Sequence, residues 1–179
     1  MSFIEIYLIA GLVILGFNTF LWVISLLVKD SSIIDPFWSI LFLLAAIVYF
    51  VFCEDGYSGR KILLMGLVTI WALRLAIYLA WRNWGHGEDF RYQKWREQHG
   101  EAWWWRSHLQ AFVLQGILAW IISIPLLAAQ YSDSPDHLTI LDGIAVLVWG
   151  YGFFFEAVGD FQLARFKANP ENKGKVLDR

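Results

Sequence analysis

Five apolar runs, each about as long as a helix must be to cross hydrocarbon, leave this chain few folds to choose from. They lie at Phe3 to Val28, Phe37 to Cys53, Ile62 to Trp81, Leu109 to Gln130 and Leu138 to Leu163. A chain of 179 residues that is 58% hydrophobic carries more apolar surface than one water-soluble core can bury. The expectation is all-α: a polytopic transmembrane bundle of about five helices forming a single integral membrane domain over residues 1–179. The first run lacks a basic leader and an A-x-A-like cleavage site, so it reads as a helix of the mature protein. Cys53 is the only cysteine, which excludes an internal disulfide and a thiolate metal cluster.

The connection from Arg82 to His108 is the longest. It gathers Trp81, Trp84, Trp95 and Trp103 to Trp105, six of the chain's 11 tryptophans, and its middle interleaves charges with aromatics from Glu88 to Arg96. That pattern predicts an interfacial amphipathic helix between the third and fourth spans. Its bases are offset by Glu88, Asp89, Glu97 and Glu101, which argues against nucleic acid as a partner. His86, His99 and His108 lack metal-ligand spacing, and no metal site is expected.

Lysine and arginine are unevenly shared between the two sets of connections. Eleven fall on the side that holds the Lys29 to Pro36 loop, the Arg82 to His108 loop and the tail after Leu163; the other side has Arg60 and Lys61. The positive-inside rule then puts the N-terminus outside and the C-terminus in the cytoplasm.

Several polar residues interrupt the apolar runs at cytoplasmic depth. Along the last helix Asp160 lies about 40° and Lys167 about 20° from Glu156, a polar stripe on one face over roughly 16 Å. A carboxylate at that depth needs protein, water or a ligand against it, although headgroup-level solvation would also satisfy it. Arg74, Tyr78 and Arg82 follow at intervals of four on the third helix, and Arg74 is deep enough that it should be paired or serve an anion. Asp35 and Pro36 read as an N-cap and first helical residue, with Trp38 beside them at the cytoplasmic mouth. Gln115 falls in the cytoplasmic half of the fourth helix, where it could line a cavity or bond a neighbouring helix, as Asn18 of the first helix should do. Pro125 should kink the fourth helix near its outer end.

Taken together, Asp35-x-x-Trp38-Ser39, Trp71-x-x-Arg74-Leu75, Glu88-Asp89-x-Arg91-Tyr92, Gln115-Gly116 with Trp120 and Ser123-x-Pro125, and Phe155-Glu156-x-x-x-Asp160-x-Gln162-x-x-x-Phe166-Lys167 resemble a bacterial branch of membrane proteins similar to the steroid 5α-reductases. The resemblance runs from about Asp35 to the end of the chain. It implies that Glu156 and Asp160 hydrogen-bond ribose or amide groups of NADPH, that Lys167 and Arg74 meet phosphate, and that Asp35, Trp38 and Gln115 border the substrate. The implied reaction is reduction of a double bond in an apolar, lipid-like small molecule of steroid or isoprenoid type drawn from the membrane lipid, with Tyr78 as candidate proton donor and packing as its ordinary role. The family pattern continues into an Arg-His-Pro-Asn-Tyr-type motif and further transmembrane helix. The expectation is therefore a chain lacking those C-terminal helices, either a fragment or a truncated relative. Two rival readings stay open: a membrane methyltransferase using S-adenosylmethionine, and a non-catalytic membrane protein that binds lipid or a partner.

Overall fold

The computed structural model describes residues 1–83, 85–172 and 174–177. Trp84 and Arg179, used above in the tryptophan and charge readings, lie outside the described residues, as do Lys173 and Asp178. The architecture is helical, with no strand among the described residues. The chain divides into two compact units, Met1–His137 and Leu138–Arg179.

In the first unit, helix α1 (Phe3–Val28) opens with a capping box in which Ser2 and Glu5 satisfy each other's backbone N–H groups. It buries Ile6, Ala10, Ile14, Asn18, Leu21 and Ser25, spaced by three or four residues, along one stripe. The opposite face is equally apolar and open, with Leu12 71% and Leu27 79% exposed. Such a surface is unfavourable in water and ordinary in lipid. The same holds across the fold, in which five helical stretches are long and apolar enough to cross a membrane, supporting an integral membrane protein.

Helix α2 (Ile34–Phe52) begins three residues earlier than the apolar run suggests. A short 3₁₀ turn at Ser31–Ile33 leads straight into it, so the first backbone donor needing a cap belongs to Ser32, and Asp30 supplies that cap. The expectation that Asp35 is the N-cap and Pro36 the first helical residue is therefore corrected. Asp35 lies inside the first turn with its carboxylate released for tertiary contacts, and Pro36 still sits early enough that its missing N–H breaks no helical bond.

Helix α3 (Ser58–Asn83) packs on α2, fixed near its middle by a 2.9 Å hydrogen bond from the buried Ser39 hydroxyl to the Ala72 carbonyl. Helix α4 (Phe90–His99), capped by Asp89, occupies the long connection where an interfacial helix was expected. Its Tyr92 is buried, tying it to the bundle. The fourth span is composite. It comprises α5 (Trp103–Ser107), a π-helical turn at His108–Val113, α6 (Leu114–Ile122) and α7 (Ile124–Tyr131).

The interruption at Ser123 matches the expected kink, since Pro125 has no N–H for the Ile121 carbonyl. Ser123 is buried there, its hydroxyl 2.7 Å from both the Trp120 carbonyl and the Tyr49 hydroxyl. Asn18 donates to the Phe112 carbonyl at 2.7 Å, the helix-to-helix bond its position suggested, and it does so at the π-helical turn. Gly116 makes that approach possible, because a Cβ at that position would lie 2.6 Å from the Asn18 amide nitrogen.

The second unit consists mainly of α8 (Ile140–Ala168), started by a capping box between Thr139 and Asp142. It carries Glu156, Asp160 and Lys167 in one uninterrupted helix.

Candidate functional site

In the first unit three segments far apart in sequence meet in one polar network. Asp35 from the start of α2 accepts a 2.6 Å hydrogen bond from the Tyr92 hydroxyl and a 2.7 Å ion-paired bond from Arg91. Gln115 from α6 donates to the same Tyr92 oxygen at 3.2 Å. The carboxylate is nearly enclosed, at 12% exposure, while Arg91 remains half open at 51%. Two of the three residues expected at a substrate pocket, Asp35 and Gln115, are thus brought together through a tyrosine.

A second clamp backs this network. Glu88 accepts from Arg96 at 2.8 and 2.9 Å and from the Ser31 backbone at 2.7 Å, while Asp89 receives the Arg91 guanidinium at 2.8 Å. Trp103 donates its indole N–H to the Ser31 hydroxyl at 3.2 Å. Burial pushes the Glu88 carboxyl up, and the bonds from Arg96 and Ser31 outweigh it, leaving the group below its ordinary range. The Arg91 hydrogen bond likewise holds Asp89 down against its partial burial. Of the acids read from sequence as offsetting the bases, Glu88 and Asp89 form specific pairs, and together with the Arg91–Asp35 pair and the Glu88–Ser31 bond they fasten α4 to the start of α2.

Trp38 lies outside the hydrogen-bonded network and heads an aromatic ladder. Its ring meets Phe42 edge-on at 5.0 Å, and Phe42 meets Trp71 at 5.6 Å. On α3 the Tyr78 ring lies between two cations, with the Arg74 guanidinium 5.4 Å and that of Arg82 5.9 Å from its centroid. The spacing of four read from sequence therefore produces a cation–π stack whose ring face is the shared element.

In the second unit Glu156 and Asp160 are half-buried and Lys167 is exposed. Aromatic rings flank them on the same helix, with Trp149 stacked on Phe153 at 4.9 Å and Tyr151 against Phe155 at 4.6 Å. The helix ends at Asn169, where Asn172 donates to the Phe166 carbonyl at 2.9 Å. As donors and acceptors, two carboxylates followed by a cation suit the hydroxyl and phosphate groups of a nucleotide.

Sequence reasoning missed Arg91 and Tyr92 as the partners of Asp35. The signal was present in the motif Glu88-Asp89-x-Arg91-Tyr92, but periodicity within one helix cannot reveal a partner from another segment. A family model described as "Protein of unknown function (DUF1295)" matches residues 21–179. No curated protein and no solved structure matches the chain.

Proposed function

The chain belongs to the DUF1295 family, and from that premise we propose that it is a membrane-embedded reductase of the steroid 5α-reductase type, using NADPH on a double bond of a lipid-like substrate. The reading rests on one observation above others. Glu156, Asp160 and Lys167 share one face of an unbroken helix whose carboxylates are half-buried and whose cation is open. The proposed orientation has the N-terminus outside and the C-terminus cytoplasmic in a bacterial inner membrane, so this end of α8 would face soluble nucleotide.

NADPH, when bound, supplies the hydride. Glu156 and Asp160 would accept hydrogen bonds from ribose hydroxyls or an amide, and Lys167 would meet phosphate as a point charge. Within the first unit Arg74, held over the Tyr78 ring, is a candidate to meet an anion. The Trp38–Phe42–Trp71 ladder offers an apolar wall for a flat substrate. Asp35 and Gln115 hold Tyr92 from both sides and so would fix the polar border of that region. Tyr78 remains the candidate donor where negative charge develops, with its two flanking guanidinium groups favouring an anionic partner.

The test is titration of the purified protein in detergent with NADPH and with S-adenosylmethionine, followed by quenching of its tryptophans. The reading expects saturable NADPH binding, weaker binding of S-adenosylmethionine, and roughly tenfold loss in Asp160→Ala and in Lys167→Ala, each removing a charge-assisted hydrogen bond. Tighter binding of S-adenosylmethionine would replace the reductase with a methyltransferase. Absence of binding by either nucleotide would leave a non-catalytic membrane protein.

A further inference from the structure

Helix α5 turns two tryptophans and a cation outward. Trp103 is buried and held to Ser31 by its indole, whereas Trp104 and Trp105 are 59% and 43% exposed and Arg106 is exposed beside them. Helix α1 fixes the depth of this segment. Trp22 donates its indole N–H to the Trp104 carbonyl at 3.0 Å, and Trp22 lies about 9 Å short of the end of α1 at Val28, by the helical rise. The open side chains near that level are apolar: Leu26 and Leu27 on α1, and Leu109 just after α5. Exposed tryptophans among lipid-facing leucines belong at the border between hydrocarbon and headgroups.

Arg106 is an unbalanced charge at this border. It makes no ion pair among the described residues, and neither α5 nor the π-helical turn after it carries an acid. Glu101, the nearest acid along the chain, is exposed in the turn before α5 and forms no ion pair with it. The guanidinium carbon lies 5.3 Å from the centre of the Trp105 ring, and Nη1 is 3.2 Å from Nδ1 of His99. A guanidinium only donates, so Nδ1 accepts in this bond and the imidazole proton sits on Nε2. His99 thus presents a second N–H donor, on a ring stacked on the buried Trp103 at 6.0 Å. A held cation and a fixed N–H donor at headgroup depth complement a phosphate. With no acid on α5, an ammonium finds no counter-charge there.

We propose that Arg106 and His99, framed by Trp104 and Trp105, seat the phosphate of one anionic phospholipid from the leaflet at this end of the bundle. This assignment stands independently of the nucleotide reading.

Native mass spectrometry of the delipidated full chain tests it, using phosphatidylglycerol and phosphatidylethanolamine with identical acyl chains. The expected result on the wild type is a phosphatidylglycerol adduct about fivefold tighter than that of phosphatidylethanolamine, the effect of one basic residue on an anionic lipid. Arg106→Gln should remove that preference. Lys94→Gln, which removes an exposed cation of α4, controls for general charge attraction and should keep it. His99→Phe retains a ring on Trp103 and loses both nitrogens, so it should weaken phosphatidylglycerol about threefold. Phosphatidylethanolamine bound as tightly as phosphatidylglycerol by the wild type overturns the proposal, as does a preference that survives Arg106→Gln or falls equally in Lys94→Gln. Millimolar inorganic phosphate should leave the lipid adduct in place. Its displacement by phosphate would assign the seat to a free anion and overturn the lipid.

Discussion

The Asp35 network and the α8 stripe look alike in sequence, as polar residues set into the cytoplasmic ends of apolar helices, and they differ in what surrounds them. Asp35 is met by Arg91 and Tyr92, Tyr92 by Gln115, and Glu88 by Arg96 and Ser31. Each charge in that group is answered by a named partner from another segment, and Tyr92 is buried at 2% exposure. Helix α8 has no buried residue among those described, and its lysine is open. The contrast separates two uses of polarity in a membrane protein. In the first unit it fastens helices and a long connection together; in the second, on the function proposed above, it would serve recognition along a helix face.

Glycines offer the strongest way to break this comparison. A Cβ at Gly56 would lie 1.9 Å from the Gln130 backbone oxygen, so Gly56→Ala must displace backbone and should cost about 3 kcal/mol. On α8 nothing lies within 4 Å of a Cβ at Gly152, and Gly152→Ala should stabilise by about 0.5–1 kcal/mol through helix propensity. Opposite shifts of the thermal midpoint in detergent would sustain the contrast; equal shifts would erase it.

A smaller effect is expected at the clamp. Arg96→Ala leaves Glu88, whose side chain is 9% exposed, without its ion pair and should cost about 2 kcal/mol, reduced from the buried-pair range because Arg96 itself is 40% exposed. Tyr92→Phe removes the bridge between Asp35 and Gln115 and should cost about 1–2 kcal/mol. Chemical denaturation in mixed micelles would rank the two.

Acid should act on the same clamp. Glu88 and Asp89 are held below their ordinary values of 4.5 and 3.8, so their contribution to stability is complete above about pH 4.5 and is lost as pH falls through the lowered values. The thermal midpoint should be flat from pH 7 to about pH 5 and then decline. Arg96→Ala should flatten that decline, because it removes a cause of the lowering at Glu88. A decline of unchanged steepness in the variant would assign the acid sensitivity to other groups.

The spans were legible because membrane helices are written in length and hydropathy. The first was read with the same limits as α1, Phe3 to Val28. The break at Ser123 followed from Pro125, and the Asn18 bond from the cost of an unsatisfied amide in lipid. The start of α2 was misread because Asp35-Pro36 imitates a cap, while the 3₁₀ turn that moves the true start to Asp30 leaves no periodic signal in three residues. The π-helical turn at His108–Val113 was invisible for the same reason, as its extra residue changes no hydropathy. Of the candidate site, the face of α8 followed from helical geometry. The pairing of Asp35 with Arg91, 56 residues away, did not, because it depends on how α4 folds back on the bundle.

The most direct test of the division between fastening and recognition measures two quantities on two variants: thermal midpoint and NADPH affinity for Tyr92→Phe and Lys167→Ala, in the same detergent. Tyr92→Phe should lower the midpoint by several degrees with affinity within twofold of wild type. Lys167→Ala should leave the midpoint unchanged and, on the proposed function, weaken NADPH about tenfold through loss of one exposed cation. A Lys167→Ala protein that loses stability while binding NADPH as wild type does would contradict the account.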